Sequence, residues 1–114
     1  MKSKLSSLSK NEDFKSLLGG KKVSNKYLTI FFKKLSGKNN KKLNISFVAK
    51  KKIGNAVKRN KIKRKLKAIV QKILKIKGAI NRDYTYIVFG KTKSFSEDHK
   101  KIVNEMTKSF KKIN

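Results

Sequence analysis

Gly54 to Lys77 reads GNAVKRNKIKRKLKAIVQKILKIK, and its apolar residues recur with a helical period. Ile62, Leu66, Ile69, Val70 and Ile73 fall within about 100° of one another on a helical wheel, so they form a single buried stripe. This predicts the longest element of the chain, opened by an Asn55 cap and closed by Gly78. The stretches on either side follow a different period. Before it, Leu43, Ile45, Phe47 and Ala49 alternate with Asn44, Ser46 and Val48; after it, Tyr84 to Gly90 (YTYIVFG) is β-branched and aromatic. Both read as strands. A strand, a long helix and a second strand beside a hairpin imply an α+β packing in which helices cover one side of a mixed sheet.

Further towards the N-terminus, Asn11 to Leu18 is predicted as a short helix. Asn11 supplies a cap, Glu12 and Asp13 suit the positive end of the dipole, and Gly19 with Gly20 stops it. Val23 to Leu35 is predicted as one strand, with Leu28, Ile30 and Phe32 facing one way and Tyr27, Thr29 and Phe31 the other. A turn at Gly37, Asn39 and Asn40 then leads to the strand before the long helix, which should pair with this one. At the C-terminal end, Ser94 and Glu97 form a capping-box pair opening a last helix with apolar positions Phe95, Ile102, Val103, Met106, Phe110 and Ile113. The predicted order is α-β-β-α-β-α in a single domain, residues 1–114, with 1–10 expected to be flexible.

Of 114 residues, 33 are Lys or Arg and 6 are Asp or Glu, a net charge of +27. The length and the 37% hydrophobic content suit one small core and exclude a multi-domain enzyme. The absence of cysteine excludes disulfides, zinc fingers, iron-sulfur clusters and thiol catalysis. No secretory apolar block and no membrane-length apolar run occurs, so a cytoplasmic protein with no membrane partner is expected. Such a charge repels itself and favours a polyanion. Yet 30 of the 33 basic residues are Lys, and Lys, Asn and Ile share A/T-rich codons, so composition alone establishes basicity and names no ligand.

Catalytic constellations are hard to find. Glu12, Asp13, Glu97 and Asp98 sit in predicted first turns, where the dipole accounts for them, and His99 reads as a boundary packing residue. No catalytic residue and no metal site is expected, and no phosphate-binding glycine loop occurs. The informative stretch is Lys50 to Lys67, where ten of eighteen residues are basic. Lys58 and Arg59 follow the Asn55 cap directly, although the unpaired N–H groups there already carry positive partial charge. A phosphate at the helix start removes that conflict. Asn60, Arg64, Lys67 and Gln71 share the face opposite the apolar stripe, with Lys58, Lys61, Lys65 and Lys72 along a flank. A lysine-rich face can also be merely solvated, but Arg59 and Arg64 are two of the three arginines in the chain. Asn60 in mid-helix fits a polar contact with RNA and equally fits chance in an Asn-rich sequence. A second candidate surface combines Phe14 with Tyr27, Phe31, Tyr84, Tyr86 or Phe89, which could stack unpaired bases or pack in the core. The strand pattern leaves open which face is accessible.

GNAVKRN (Gly54 to Asn60) followed by Lys63 and Arg64 resembles the arginine-rich signature of the bacterial ribonuclease P protein subunit. Phe14 before Gly19 and Gly20, the strand near Val23, the strand before Lys50 and YIVFG near the C-terminus follow that family's order and spacing. The resemblance covers essentially the whole chain. It implies an α+β two-layer sandwich with a left-handed βαβ crossover, against the usual hand. It also implies that Asn55, Lys58, Arg59, Asn60, Lys63 and Arg64 contact the catalytic RNA subunit or lie beside it, and the neighbouring cations Lys50, Lys51, Lys52, Lys61 and Lys67 are expected to bind the same RNA. A cleft between the first helix and the sheet, with Phe14, Tyr27, Phe31 and Tyr86 as candidates, would take the single-stranded 5′ leader of precursor tRNA. Two departures stand out: Lys61, Lys65 and Lys67 replace frequent arginines, and Leu17 and Leu18 stand where a second helix aromatic is common.

On this resemblance the chain is expected to be the protein subunit of a ribonucleoprotein endonuclease that matures tRNA 5′ ends. The chemistry, with Mg²⁺, belongs to the RNA; the protein itself carries no cofactor and needs no obligate protein partner. A ribosomal or other structural RNA-binding protein, and an independent metal-dependent nuclease, are the rival readings.

Overall fold

The computed structural model describes residues 5–6, 11–35 and 42–113. Its elements are β1 (Leu5–Ser6), α1 (Asn11–Leu18), β2 (Lys21–Ser24), β3 (Leu28–Lys33), β4 (Leu43–Val48), a 3₁₀ turn (Lys51–Ile53), α2 (Ala56–Leu74), β5 (Thr85–Gly90), α3 (Lys93–Ser96) and α4 (His99–Ile113). One mixed five-stranded sheet runs in the order β1-β4-β5-β3-β2, so the fold is α+β. Leu5 and Ser6 pair parallel with Leu43 and Asn44. The remainder of residues 1–10, the Asn11 side chain and the turn expected at Gly37, Asn39 and Asn40 lie outside the described residues.

The long helix keeps its sequence-predicted stripe: Ile62, Leu66, Ile69, Val70 and Ile73 are all buried. Asn55 caps it, its side-chain oxygen accepting from Lys58 N at 2.9 Å. Its regular bonding ends at Leu74, one turn short of the predicted Lys77. The chain then turns through Gly78, whose φ of 76° lies in the left-handed region open to glycine. The β4-α2-β5 crossover delivers β5 parallel to β4, with Ile45 opposite Tyr86 and Phe47 opposite Val88. Gly90 permits close docking of α2 on β5, because a Cβ there would lie 2.5 Å from Ile62 Cγ2.

Three sequence-based expectations are corrected. Val23 to Leu35 is a hairpin, because Asn25 folds the chain back: its Oδ1 accepts from the N–H groups of Tyr27 and Leu28 at 2.8 and 3.0 Å. Its amide Nδ2 donates to Ser109 Oγ at 3.0 Å, tying the turn to α4. Secondly, β3 and β4 do not pair; β5 lies between them, antiparallel to one and parallel to the other. Thirdly, the Ser94–Glu97 capping box does not form. Extended backbone at Glu97 (ψ 152°) separates α3 from α4, the Ser94 hydroxyl donates to Lys91 O, and the Glu97 carboxylate accepts from Asp98 N.

The pleat divides the sheet into two faces. Leu28, Ile30, Phe32, Ile45, Tyr86 and Val88 join the stripes of α2 and α4 in the main core. Thr29, Phe31, Ile87 and Phe89 point the other way. There α1 covers part of the sheet, burying Leu17, while Lys33 Nζ donates to Ser16 Oγ at 2.9 Å. Helices therefore occupy both faces, not one side as the strand-helix-strand pattern suggested, because Leu17 of α1 is buried on the face away from α2 and α4; α1 is too short to cover that face.

Candidate nucleic-acid interface

The uncovered part of the α1 face is an open groove of about 500 Å³. Phe31 pairs in register with Ile87, and Phe89 with Thr29, so the two phenylalanines are diagonal neighbours on one face. Their ring centroids are 5.4 Å apart at 68°. Lys22 Nζ lies 5.8 Å from the Phe31 ring and Lys50 Nζ 5.6 Å from the Phe89 ring. Leu18 and Ile53 complete the apolar walls, and Lys52 and Lys91 stand at the rim. Flat aromatic surface ringed by ammonium groups is what an unpaired nucleic-acid strand requires: rings for its bases, charge for its phosphates.

Of the four aromatics expected in this cleft, Phe31 alone lines it. Tyr86 has the opposite parity: it faces Phe32 across the ladder, is fully buried, packs edge-on to Phe110 and donates from its hydroxyl to Asn81 O at 2.6 Å. Burial pushes its pKa far above the phenol range. Tyr27 sits in the Asn25 turn, outside the alternation, and is buried in the main core. Burial and the Glu97 carboxylate raise its pKa. Phe14 is half-buried on α1 and is not a lining residue of the groove. Phe89, named among the candidate aromatics but not assigned to the cleft, takes the second position. The signal for it was parity: once Tyr86 is in the core, alternation sends Phe89 to the other face.

Beyond the groove the chain runs directly into the cationic helix. Lys50, Lys51, Lys52 and Asn55 are exposed, as are Asn60, Lys61, Arg64 and Lys67, whereas Lys58, Arg59 and Lys63 are half-buried. The first turn of α2 holds no acidic residue. Among the described residues neither Arg59 nor Arg64 is ion-paired; Lys101–Glu97 and Lys108–Glu105, both at 3.7 Å, pair within α4 and the turn before it. Arg59 Nε is buried without a hydrogen-bond partner. Lys65 is different, since its Nζ donates to Glu97 O at 2.6 Å and so ties α2 to the start of α4. Lys50 and Lys52 belong to both surfaces, which makes groove and helix one continuous basic tract. Among the described residues no group of three or more His, Cys, Asp or Glu is placed to hold a metal ion, and no helix is long and apolar enough to cross a membrane.

The sequence model of the Ribonuclease P family matches residues 2–114. A ribonuclease P protein component from a Nitratiruptor species is 42% identical over 74 residues, a stretch that spans 64% of this chain and 63% of that relative's length. Among solved structures, the RNase P protein from Thermotoga maritima is similar with a TM-score of 0.73 and 25% identity over 96% of this chain and 98% of that one. The Staphylococcus aureus RNase P protein shares the fold, with a TM-score of 0.70 and 24% identity over 95% of this chain and 94% of that one.

Proposed function

The chain belongs to the ribonuclease P protein family, and we propose that it is the cytoplasmic protein subunit that docks on a catalytic RNA through α2 and holds the unpaired 5′ leader of precursor tRNA in the groove. One observation carries this reading: an aromatic groove and a helix face of unpaired cations are joined through Lys50 and Lys52. Helix faces of this kind suit a folded RNA, whose phosphates compensate Lys58, Arg59, Lys61, Lys63, Arg64 and Lys67. A groove with rings at its floor suits a strand whose bases are free.

The protein's contribution is then to binding and orientation. Its cations screen repulsion between two RNA molecules, and Phe31 with Phe89 fixes the leader next to the docking helix. Mg²⁺ would supply the hydrolytic chemistry on the RNA. Interactions made with the leader but absent from mature tRNA favour substrate over product, because only substrate retains the strand that fills the groove.

Reconstitution with the catalytic RNA tests this. The holoenzyme is expected to bind precursor tRNA more tightly than mature tRNA, with most of the difference lost when the protein is omitted. Equal discrimination with and without protein would refute leader binding. Arg64→Ala is expected to weaken assembly with the RNA and to lower the slope of log affinity against log salt by about one unit. An unchanged slope would remove Arg64 from the interface.

A further inference from the structure

Among the large apolar side chains that the described residues leave exposed, Leu18, Val57, Ile76 and Phe95, Phe95 is the aromatic one, and it belongs to neither the main core nor the groove. It sits on α3 and is 40% exposed, although hydrophobic period alone would have buried it on the last helix. Its position is fixed from both sides. Lys65 of α2 donates to Phe95 O and Glu97 O, and the buried Ser94 hydroxyl donates to Lys91 O at 2.6 Å. The Lys58 ammonium, in the first turn of α2, lies 5.1 Å from the ring centroid. The groove ends at Lys91 and Thr92, and Phe95 N donates to Thr92 O. The ring therefore stands between the end of the groove and the start of the cationic helix.

We propose that Phe95 is a stacking platform for an unpaired base of the RNA strand as it leaves the groove towards α2, with Lys58 taking the adjoining phosphate. The proposal deepens the functional reading above and rests on it. An aromatic ring with a cation beside it offers what the Phe31–Phe89 pair offers, an apolar surface for a base and a charge for the backbone. The charge of the whole tract selects a polyanion, and the short distance in sequence from Thr92 to Phe95 makes the platform continuous with the groove. A purely structural apolar residue would serve as well if it were leucine; a stacking residue would not.

The test uses the full-length protein and a single-stranded oligoribonucleotide of about ten nucleotides, long enough to span groove and platform. Phe95→Leu is expected to weaken binding about fivefold or more, as loss of one stacked base implies, whereas Phe95→Trp retains the parent affinity. The chain contains no tryptophan, so the Phe95→Trp emission reports this site alone and is expected to be quenched saturably by the oligonucleotide. Parent-like binding by Phe95→Leu, with unchanged Phe95→Trp emission at saturation, would overturn the platform. If Phe31→Leu still weakens binding in that case, the groove reading survives; if Phe31→Leu and Arg64→Ala both bind like the parent, that reading falls too. Should Phe95→Leu melt without cooperativity, the tryptophan quench decides.

Discussion

At the scale of single residues, aromatics of similar appearance in the sequence divide into groove-lining and core-forming groups, and each group has its own test. Phe31→Ala removes a half-buried ring that lines the groove, and it is expected to cost about 1–3 kcal/mol of leader binding with little loss of stability. A loss seen only in the melting temperature would make Phe31 a packing residue. Tyr86→Phe should behave the opposite way, leaving leader affinity unchanged while removing the hydroxyl bond to Asn81 O, about 1 kcal/mol at neutral pH. Its pH dependence follows from burial, which raises the folded-state pKa above the ordinary 10.0. The contribution of the neutral hydroxyl is fully present below pH 10 and is lost as pH rises through the folded-state value. Denaturant melts should therefore show the parent losing stability relative to Tyr86→Phe above about pH 10, with lysine titration common to both. A gap independent of pH would contradict the burial. Reading Tyr86 as a cleft residue failed because an isolated strand of alternating aromatics carries no label for its inner face. The partner Phe32 supplies that label, and it is distant in sequence.

At the scale of elements, α2 was legible almost to its ends because several local signals agree there: a 3.6-residue apolar stripe, an Asn cap and a following glycine. The β2-β3 hairpin was not. Apolar alternation continues on both sides of Asn25, and the turn is made by one side chain bonding its own backbone and anchored by Ser109 of α4. The break between α3 and α4 escaped for a similar reason. Ser94 and Glu97 have capping-box spacing, but Ser94 is drawn inward to Lys91 O. For α2 itself, Asn55→Asp separates stability from function. A carboxylate retains the cap, complements the helix dipole and neighbours Lys58 and Arg59, so the free protein should melt at the same or a higher temperature. Assembly with the catalytic RNA should weaken, because the new charge stands where a phosphate would dock. Unimpaired assembly would move the docking site away from the helix start.

For the molecule as a whole, 33 basic against 6 acidic residues mean that folding brings together like charges that the unfolded chain keeps apart. The ion pairs Lys101–Glu97 and Lys108–Glu105 involve long, largely exposed lysines and offset little of this. Multivalent anions that bind the folded form should stabilise it, so sulfate or phosphate is expected to raise the melting temperature more than chloride at equal ionic strength. Equal effects would indicate general screening alone. On the proposed function, the same surplus would make an RNA partner part of the protein's stability, since docking would compensate the charges that folding concentrates.

The sequence by itself determined a basic α+β fold, the position and buried stripe of α2, the cations along its far side and a family resemblance carried by GNAVKRN. These are local properties, set by period, capping and charge within one stretch of chain. The tertiary structure decided the rest: β5 between β3 and β4, Phe89 beside Phe31, Tyr86 and Tyr27 in the core, and Phe95 left outside. Each depends on which face of a strand or helix meets a partner from elsewhere in the chain, and sheet register fixes that only once the strands have paired.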